Sequence, residues 1–186
     1  DLNEYLEDLI QCEQGFAFNT SSDRQLVRDI KEKQCYVALD YDAEITKSKS
    51  EKTNDTTSSY FFADGTELKL SSERFKCPEL LFKPHLNGFE FKGLHELVFN
   101  SIMKCDISSR ADLLANVIVS GGSSKFPGLP NRLEAELKKL VSPKIRTKVV
   151  APDCRDISAW IGGSILASLS TFPKMTVSRD EYNEKG

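Results

Sequence analysis

Residues 116–130 read NVIVSGGSSKFPGLP and contain the pattern that decides the fold. The β-branched run at 117–119 favours a strand, and two glycines follow it, Gly121 and Gly122. Pro130 suits the first turn of a helix, because its φ is already fixed and its missing N–H is not needed there. Strand, glycine turn and helix start form a geometry that can hold an anion or a nucleotide. The glycine pair by itself leaves two interpretations open, a ligand loop or a tight turn that serves packing only.

The composition is that of a soluble globular protein. The chain has 186 residues, of which 39% are hydrophobic and 28% charged, enough for one domain or two small ones with a real core. A net charge of −3 gives no basic field, so we expect no nucleic-acid partner. No apolar run approaches the roughly 20 residues that a membrane span needs, so we expect no membrane partner.

Cysteine and histidine usage argues against a disulfide framework and a metal site. The five cysteines are odd in number, well separated and lack a CxxC pair, which is typical of reduced intracellular thiols. Only two histidines are present, His85 and His95, so a histidine-rich metal site is not expected.

The first 40 residues predict two helices. An apolar stripe at helical spacing predicts the first, which should stop at Gly15 in a left-handed cap; its members are Leu2, Tyr5, Leu6, Leu9 and Ile10. Because such a stripe needs a partner surface, we expect the chain to be part of something larger. Ser22 is predicted to cap the second helix in a capping box with Gln25.

The middle of the chain predicts a loop, a hairpin and a short helix. Residues 46–59 are almost wholly polar and are expected to form a mobile surface loop. The alternation around the Asp64-Gly65 turn predicts a β-hairpin, and Pro78 is expected to open a one-turn helix.

Beyond residue 90 the pattern predicts helices on both sides of the opening stretch. Alternation at Ile145, Thr147 and Val149 predicts a strand, so strand, glycine turn, helix and strand should make a right-handed parallel βαβ unit. The other expected helices begin after Gly93, near 111–114 with Ser109 as cap, at 157–169, and after Ser178.

Several of these segments together resemble actin. The similarity runs through 28–33, 35–40, 73–78, 100–106 and 120–122, and its longest piece is 160–172, WIGGSILASLSTF. Segments 127–134 and 181–186 are closer to actin-related proteins. The chain is thus similar to the C-terminal half of a divergent actin or actin-like protein. The resemblance implies an α/β, ribonuclease H-like actin fold, of which this chain forms one of the two large lobes with a smaller α+β outer subdomain.

The resemblance also implies how the chain is divided. Residues 1–90 correspond to the outer subdomain of the nucleotide cleft, 91–157 to the inner subdomain, and 158–186 to the C-terminal return to the opposite half. The family places its phosphate loops and catalytic residues upstream of this region. We therefore expect no catalytic residue here, although full-length members of the family are slow ATPases.

A set of cleft residues follows from the resemblance, which implies ATP or ADP as cofactor, with Mg or Ca held through the nucleotide and not by this chain. The set comprises Lys31, Glu32, Gly121, Gly122, Ser123, Lys125, Phe126 and Asp156. On chemistry alone, Gly122 offers bare backbone, Ser123 a hydroxyl and Glu32 an acceptor for ribose hydroxyls. Without the resemblance, Lys31 and Glu32 read as a solvated helix face.

Three of these residues depart from the family pattern. The family usually carries Met and Tyr where Lys125 and Phe126 stand, and lysine where Asp156 stands. Lys125 could lie over the base and pair with Asp156, restoring the missing cation. A loss of nucleotide affinity is equally consistent with the same departures.

Two further surfaces are implied. The residues that match the family's partner groove are Ile165, Leu166, Leu169, Thr171 and Met175, which would suit an amphipathic helix, although Ile165 and Leu169 could instead be core residues. The residues that match filament contacts are Asp106, Ser142, Pro143, Lys144, Leu86 and Phe89, with Leu86 and Phe89 also open to internal burial. Ser108 and Ala111 replace charged residues beside Asp106, which favours weak copolymerisation or use as a stable monomer.

The resemblance therefore implies an actin-family cytoskeletal protein that binds ATP or ADP and forms or joins actin-type filaments. Its expected partners are actin or other copies of itself, the missing N-terminal half and actin-binding proteins. The alternative is a non-polymerising structural adaptor in a chromatin remodeller, a dynactin-like rod or an axonemal complex. The first interpretation implies the cytoplasmic cytoskeleton, and the second the nucleus or axoneme as well. A sugar kinase or heat-shock ATPase is disfavoured, because neither shares the 160–172 segment.

Overall fold

A computed structural model of the protein describes residues 2–18, 20–50, 57–62 and 64–185. The helices are α1 Leu2–Gln14, α2 Ser21–Gln34, α3 Tyr41–Ser50, α4 Glu73–Glu79, α5 Leu94–Met103, α6 Ile107–Ala115, α7 Leu129–Leu140, α8 Ser158–Ser168 and α9 Arg179–Lys185. The strands are β1 Ser58–Phe61, β2 Glu67–Leu70, β3 Val117–Ile118 and β4 Val149–Val150. Short 3-10 turns cover Pro84–Asn87, Gly122–Lys125 and Phe172–Met175. None of the helices in these described ranges is long and apolar enough to cross a membrane.

The first two helices pack against each other through apolar faces, of which that of α1 was predicted. Leu6 and Ile10 of α1, and Val27 and Ile30 of α2, are fully buried. The left-handed cap at Gly15 is confirmed, since its φ is 69° and its N–H donates to the Gln11 carbonyl over 2.9 Å.

The cap of α2 lies two residues before the predicted Ser22, so that prediction is wrong. Thr20 is the cap: its Oγ1 accepts the Asp23 N–H over 3.2 Å, and the Asp23 carboxylate accepts the Thr20 N–H over 2.8 Å. An acidic residue at the third helical position completes this reciprocal box and also suits the positive end of the helix.

The hairpin is confirmed. β1 and β2 pair antiparallel with Tyr60 opposite Leu68, and Gly65 takes a φ of 85° in the turn. Leu68 and Leu70 are buried while their neighbours face outward, so the alternation reflects one face packed on the core.

The predicted mobile loop at 46–59 is wrong at 46–50 and at 58–59, which form regular structure. Residues 46–50 belong to α3 and 58–59 to β1, and 51–56 lie outside the described residues. The helix is anchored at its start by Tyr41, which is buried against Phe75 with ring centroids 6.0 Å apart. Glu44 also accepts the Tyr36 hydroxyl over 2.9 Å. The polar composition of residues 46–50 therefore reflects the solvated face of a helix and not a loop.

Pro78 lies near the end of α4 instead of opening a helix, which corrects the sequence expectation. A proline inside a helix leaves the carbonyl four residues earlier without its usual donor. That carbonyl belongs to Arg74, and it accepts the Tyr36 N–H over 3.1 Å. The proline is tolerated because a neighbouring segment supplies the donor that the proline lacks.

The parallel βαβ arrangement is confirmed, although its second strand is shorter than predicted. β3 pairs parallel with β4, with Val117 opposite Val149, and α7 runs between them after a left-handed Gly128. Ile145 is exposed and lies outside β4, whereas Thr147 is buried.

The remaining helices show one wrong cap and two correct ones. α6 begins at Ile107 after Asp106, earlier than the predicted cap Ser109. α5 follows Gly93 as predicted, where an added Cβ would overlap the Phe82 carbonyl oxygen. Ser178 caps α9: its N–H donates to Glu181 over 2.9 Å, and its Oγ accepts the Glu181 N–H over 3.2 Å.

One hydrophobic core joins α1, α2, α7 and the hairpin. Its buried members include Cys35, Val37, Phe82, Phe126, Leu129, Leu133 and Leu137. Helix α8 is confirmed at its predicted position, but none of its residues is buried. The core therefore lies directly beneath the end of α2 and the glycine turn.

A candidate ligand-binding cleft

An open cleft of about 780 Å³ separates α2 from the glycine turn. Its volume lies within the range of small-molecule sites. Its lining residues are Asn3, Arg28, Lys31, Glu32, Gly122, Ser123, Lys125, Phe126 and Asp156. Seven of the eight residues predicted for the nucleotide cleft are in this set.

One wall is the solvent side of α2. Because Val27 and Ile30 face the core, Arg28 and Glu32 project from the opposite side, and the half-buried Lys31 projects from the flank beside α1. The Lys31 Nζ donates to Asn3 Oδ1 of α1 over 2.8 Å, which fixes the ammonium at one end of the cleft. The Arg28 Nε donates to Glu32 Oε1 over 2.9 Å in a surface pair. Such exposed pairs contribute little, so the Glu32 carboxylate can exchange Arg28 for a ligand hydroxyl at small cost.

The other wall is the glycine turn, which the neighbouring 152–156 segment holds in shape. The Gly121 N–H donates to the Arg155 carbonyl over 2.7 Å, and the Ser120 Oγ donates to the same carbonyl over 3.1 Å. In return the Arg155 Nε donates to the Ser124 carbonyl over 3.0 Å. Gly121, the eighth predicted residue, has a φ of 95° and shapes the turn without lining the cleft.

The ligand side of this wall is open at Gly122. A Cβ added there would meet no atom within 4 Å, so the backbone faces free space. Gly122 begins the 3-10 turn that ends at Lys125, and the leading N–H groups of a helical turn have no partner inside it. Backbone donors and the Ser123 side chain are thus available to a polar ligand.

Lys125 and Asp156 form an ion pair, which is one of the two possibilities that the sequence left open. The Lys125 Nζ lies 3.7 Å from Asp156 Oδ1 and donates to the Asp153 carbonyl over 2.8 Å. Both side chains are roughly half exposed, so solvent screens their attraction. Phe126 behaves differently: it is only 5% exposed and packs with the core, so its ring forms part of the cleft floor.

Two lining residues, Asn3 and Arg28, were not predicted. Arg28 lies one turn before Lys31 and Glu32, and helical spacing could have identified it. Asn3 is 28 positions from its partner Lys31 and reaches the cleft only because α1 packs on α2. No local signal in the sequence marks such a residue.

The charges of the cleft are mixed. Arg28, Lys31 and Lys125 supply three cations, and Glu32 and Asp156 supply two carboxylates. Nowhere in the described ranges do three or more His, Cys, Asp or Glu side chains group in a way that could hold a metal ion. The arrangement suits a polar ligand that carries negative charge and hydroxyl groups.

The residues predicted for partners and filaments lie on the surface of this chain. Ile165, Leu166, Leu169, Thr171 and Met175 are all exposed, so core packing of Ile165 and Leu169 within the chain is wrong. Asp106, Ser142, Pro143 and Lys144 are exposed as well. Leu86 and Phe89 are exposed, which corrects the alternative of internal burial, and Phe89 stacks on Phe91 with ring centroids 5.0 Å apart.

Comparison with known proteins identifies the family. The sequence model of the Actin family matches residues 4–186. An actin-like protein of Neurospora crassa is 43% identical over 185 residues, which cover 99% of this chain and 48% of that protein. The chain thus spans about half the length of the curated relative it matches. Its mixture of helices and two small sheets fits an α/β actin-like fold. With a family match over nearly its whole length, the chain belongs to the actin family.

Proposed function

We propose that this chain forms the base and ribose side of a cleft that binds ATP or ADP. The observation that carries the proposal is the convergence of residues distant in sequence. Lys31 and Glu32 of α2 share one cleft with Gly122 to Phe126 and with Asp156. At least 90 positions separate the two walls, so local structure alone would not bring them together.

The chemistry of each wall suits one part of a nucleotide. The Glu32 carboxylate accepts hydrogen bonds from ribose hydroxyls, and Lys31 places a cation beside the sugar and base. Gly122 and Ser123 offer backbone N–H and hydroxyl groups to the ribose or the first phosphate. Lys125 provides a cation that can lie over the base. A divalent ion, Mg or Ca, would be held through the phosphates of the nucleotide rather than by these residues.

Titration of a fluorescent ATP analogue into the full-length protein tests this proposal. Gly122→Val places a branched side chain in the cleft at a position where a Cβ meets no atom within 4 Å, so the variant should stay folded and bind at least about tenfold more weakly. Ala111→Val is the control, because it adds a branched side chain at an exposed residue of α6 that does not line the cleft. Equal affinity of wild type and Gly122→Val would refute the assignment of the cleft.

A structural adaptor is the second candidate, and the Lys125–Asp156 pair favours it. A carboxylate stands where the family usually has lysine, and the nearby ammonium is already engaged by Asp156 and the Asp153 carbonyl. Such a cleft attracts a polyanion less than one with two free cations. The same titration separates the candidates, since a folded wild-type protein without saturable ATP binding would be an adaptor.

The assembly and cellular role follow from the family as further proposals. We infer that a second half completes the cleft and that the division at residues 90 and 157 marks its subdomains. Filament contacts with actin or other copies would use Leu86, Phe89, Asp106 and 142–144, and helical partners would dock on 165–175. This role places the protein in the cytoplasmic cytoskeleton, with the nucleus or axoneme for the adaptor. A pelleting assay with purified actin tests the filament role, and its failure would favour the adaptor.

A further inference from the structure

We propose that Arg132 is a positioning residue for the cleft, because its side chain fixes the α2 wall relative to the glycine wall. The inference rests on the proposed nucleotide function. It concerns what keeps α2 and the glycine turn at a fixed distance from each other. Arg132 contacts neither the cleft nor any of its lining residues in the hydrogen bonds described below, so its effect must act through the backbone.

Arg132 belongs structurally to the glycine wall. It lies in the first turn of α7, six residues after Phe126, and its N–H donates to the Gly128 carbonyl over 2.9 Å. The helix therefore carries Arg132 and the end of the glycine turn as one short, continuous unit. Movement of Arg132 would move that wall.

The guanidinium reaches out of α7 to two other parts of the chain. Its Nη1 donates to the Ala38 carbonyl over 2.7 Å and to Glu79 Oε2 over 3.1 Å, and its Nη2 donates to Glu79 Oε1 over 3.0 Å. Its Nε donates to Glu136 Oε1 of the same helix over 2.7 Å, which holds the side chain in one orientation. A planar fork with all these partners has a single geometry available to it.

Ala38 continues the chain that leaves the α2 wall. Only three residues separate Ala38 from the last residue of α2, and the first of these, Cys35, donates its N–H to the Lys31 carbonyl over 3.2 Å. Val37 donates its N–H to the Pro127 carbonyl over 2.8 Å. At Gly128 a Cβ would overlap the Val37 carbonyl oxygen, so the two backbones are in direct contact. The segment 35–38, which follows the helix that carries Lys31 and Glu32, is thus in contact with the N-terminus of α7.

Burial makes this link rigid. Arg132 is 4% exposed and Glu79 is fully buried, and the guanidinium also lies 5.0 Å from the centroid of the Phe82 ring. Replacing a buried ion pair by apolar residues of similar size often leaves stability unchanged or raised, so such a pair need not be kept for stability. What an apolar pair cannot reproduce is the directed bond to the Ala38 carbonyl. The arrangement points to a role in geometry.

The double variant Arg132→Met/Glu79→Met tests this in the full-length protein. Removing both charges avoids an orphaned buried ion, so the variant should unfold within about 5 °C of wild type. Its affinity for the fluorescent ATP analogue should fall about tenfold, and the Val37 amide should exchange hydrogen faster even without ATP. Arg132→Lys, which keeps the charge but loses the fork, should show the same loss of affinity.

The matched control removes another polar pair that contains a buried carboxylate. Glu73 is buried and accepts the Gln14 side-chain amide over 2.7 Å, at the end of α1 that lies far along the helix from Asn3. Gln14→Met/Glu73→Met should leave ATP affinity within about twofold of wild type. If Arg132→Met/Glu79→Met and Arg132→Lys both bind ATP as wild type does, the positioning role is overturned.

The amide-exchange measurement separates this inference from the proposed function. If wild type binds no ATP, the nucleotide proposal fails while the exchange rates still decide the role of Arg132. Faster exchange at Val37 and at 122–125 in the Arg132 variants, and not in the control, supports the positioning role. Unchanged exchange at those amides overturns it.

Discussion

The half-buried His95 of α5 has a buried ring nitrogen without a hydrogen-bond partner among the described residues. Its ring stacks on Phe82 with centroids 5.9 Å apart, and the nitrogen in question is Nδ1. Burial lowers the pKa of His95 below its ordinary 6.5; the nearby Arg132 and Lys139 act in the same direction, while Glu136 and Glu96 oppose them. His95 is therefore neutral in the folded protein at neutral pH.

This predicts a loss of stability at mildly acid pH. As the pH falls below 6.5, the unfolded chain takes up a proton on His95 before the folded protein does, so the free energy of unfolding decreases until the lower, folded pKa is passed. His95→Phe keeps a flat ring against Phe82 and removes the titration. We expect a smaller difference in the free energy of unfolding between about pH 7.5 and 5.5, measured in urea.

His85→Phe is the control for this experiment. His85 is exposed, and the change removes the other histidine of the chain at a solvated position. The pH dependence of His85→Phe should match that of wild type. An unaltered pH dependence in His95→Phe would contradict the explanation.

The roles of single residues could be predicted from the sequence only where they depend on neighbouring positions or on a departure from the family pattern. The departures at Lys125 and Asp156 could be identified from the sequence, and the structure adds their 3.7 Å separation. Arg132 gave no signal: it lies on an otherwise apolar helix face, and its partner Glu79 is 53 positions away. A buried ion pair between distant segments becomes visible only when the fold brings them together.

At the scale of elements, the start of α2 shows how caps compete. The sequence offers Thr20, Ser21 and Ser22 in succession, each with a hydroxyl that can accept a backbone N–H. Ser22 is followed three residues later by Gln25, and Thr20 by Asp23. Both satisfy the capping-box pattern, but only Asp23 brings a negative charge to the helix start.

Thr20→Ala should destabilise the protein by about 1 kcal/mol, because the Asp23 N–H loses its side-chain acceptor. Ser22→Ala is the matched change two residues on, where the side chain is exposed and does not cap the helix, and it should be close to neutral. Chemical denaturation of both variants measures the difference. Equal effects, or a larger effect at Ser22, would show that the helix starts later in solution.

Elements were predicted best where period and turn chemistry agreed. The hairpin, α1 and α7 follow from apolar spacing together with a glycine or proline at a turn or a helix end. α3 and α4 did not, because each depends on a contact from outside: Tyr41 packing on Phe75, and the Tyr36 N–H satisfying the carbonyl of Arg74. Tertiary contacts determine the conformation of these two elements, and local propensity alone predicted it incorrectly.

At the scale of the whole molecule, α8 is unusual because it is an apolar helix without buried residues. Its sequence is apolar around almost its full circumference, yet Trp160 is 73% exposed and Ile165 is 59% exposed. A helix that is apolar all round is normally buried. The chain spans about half of its Neurospora crassa relative. We therefore expect α8 to be covered in the full-length protein.

Trp160→Lys tests that expectation. In the full-length protein it should lower the free energy of unfolding by roughly 2 kcal/mol or more, because a charge replaces a large apolar group inside a packed contact. The control is Tyr182→Lys, a similar change at an exposed aromatic residue of the polar helix α9. Thermal unfolding measures both, and an unchanged midpoint for Trp160→Lys would mean that α8 faces solvent.

Family membership could be predicted from the sequence because long, uninterrupted segments such as 160–172 carry it. The joint position of Lys31 and Gly122 followed from that resemblance, whereas composition and periodicity could not bring together walls at least 90 residues apart. The contribution of Asn3 came from the packing of α1 on α2, which only a folded chain displays, whereas helical spacing could have identified Arg28.

The two-residue pairing of β3 with β4 has a practical consequence for laboratory work. Within the described residues each of these strands has one neighbour, and Ile118 is 68% exposed beside the open margin. An unpaired edge strand with apolar side chains can pair with other chains and cause aggregation, and a sheet this small has little independent stability. Recombinant production of these 186 residues alone should therefore give inclusion bodies unless a solubilising fusion or a co-expressed companion covers that margin.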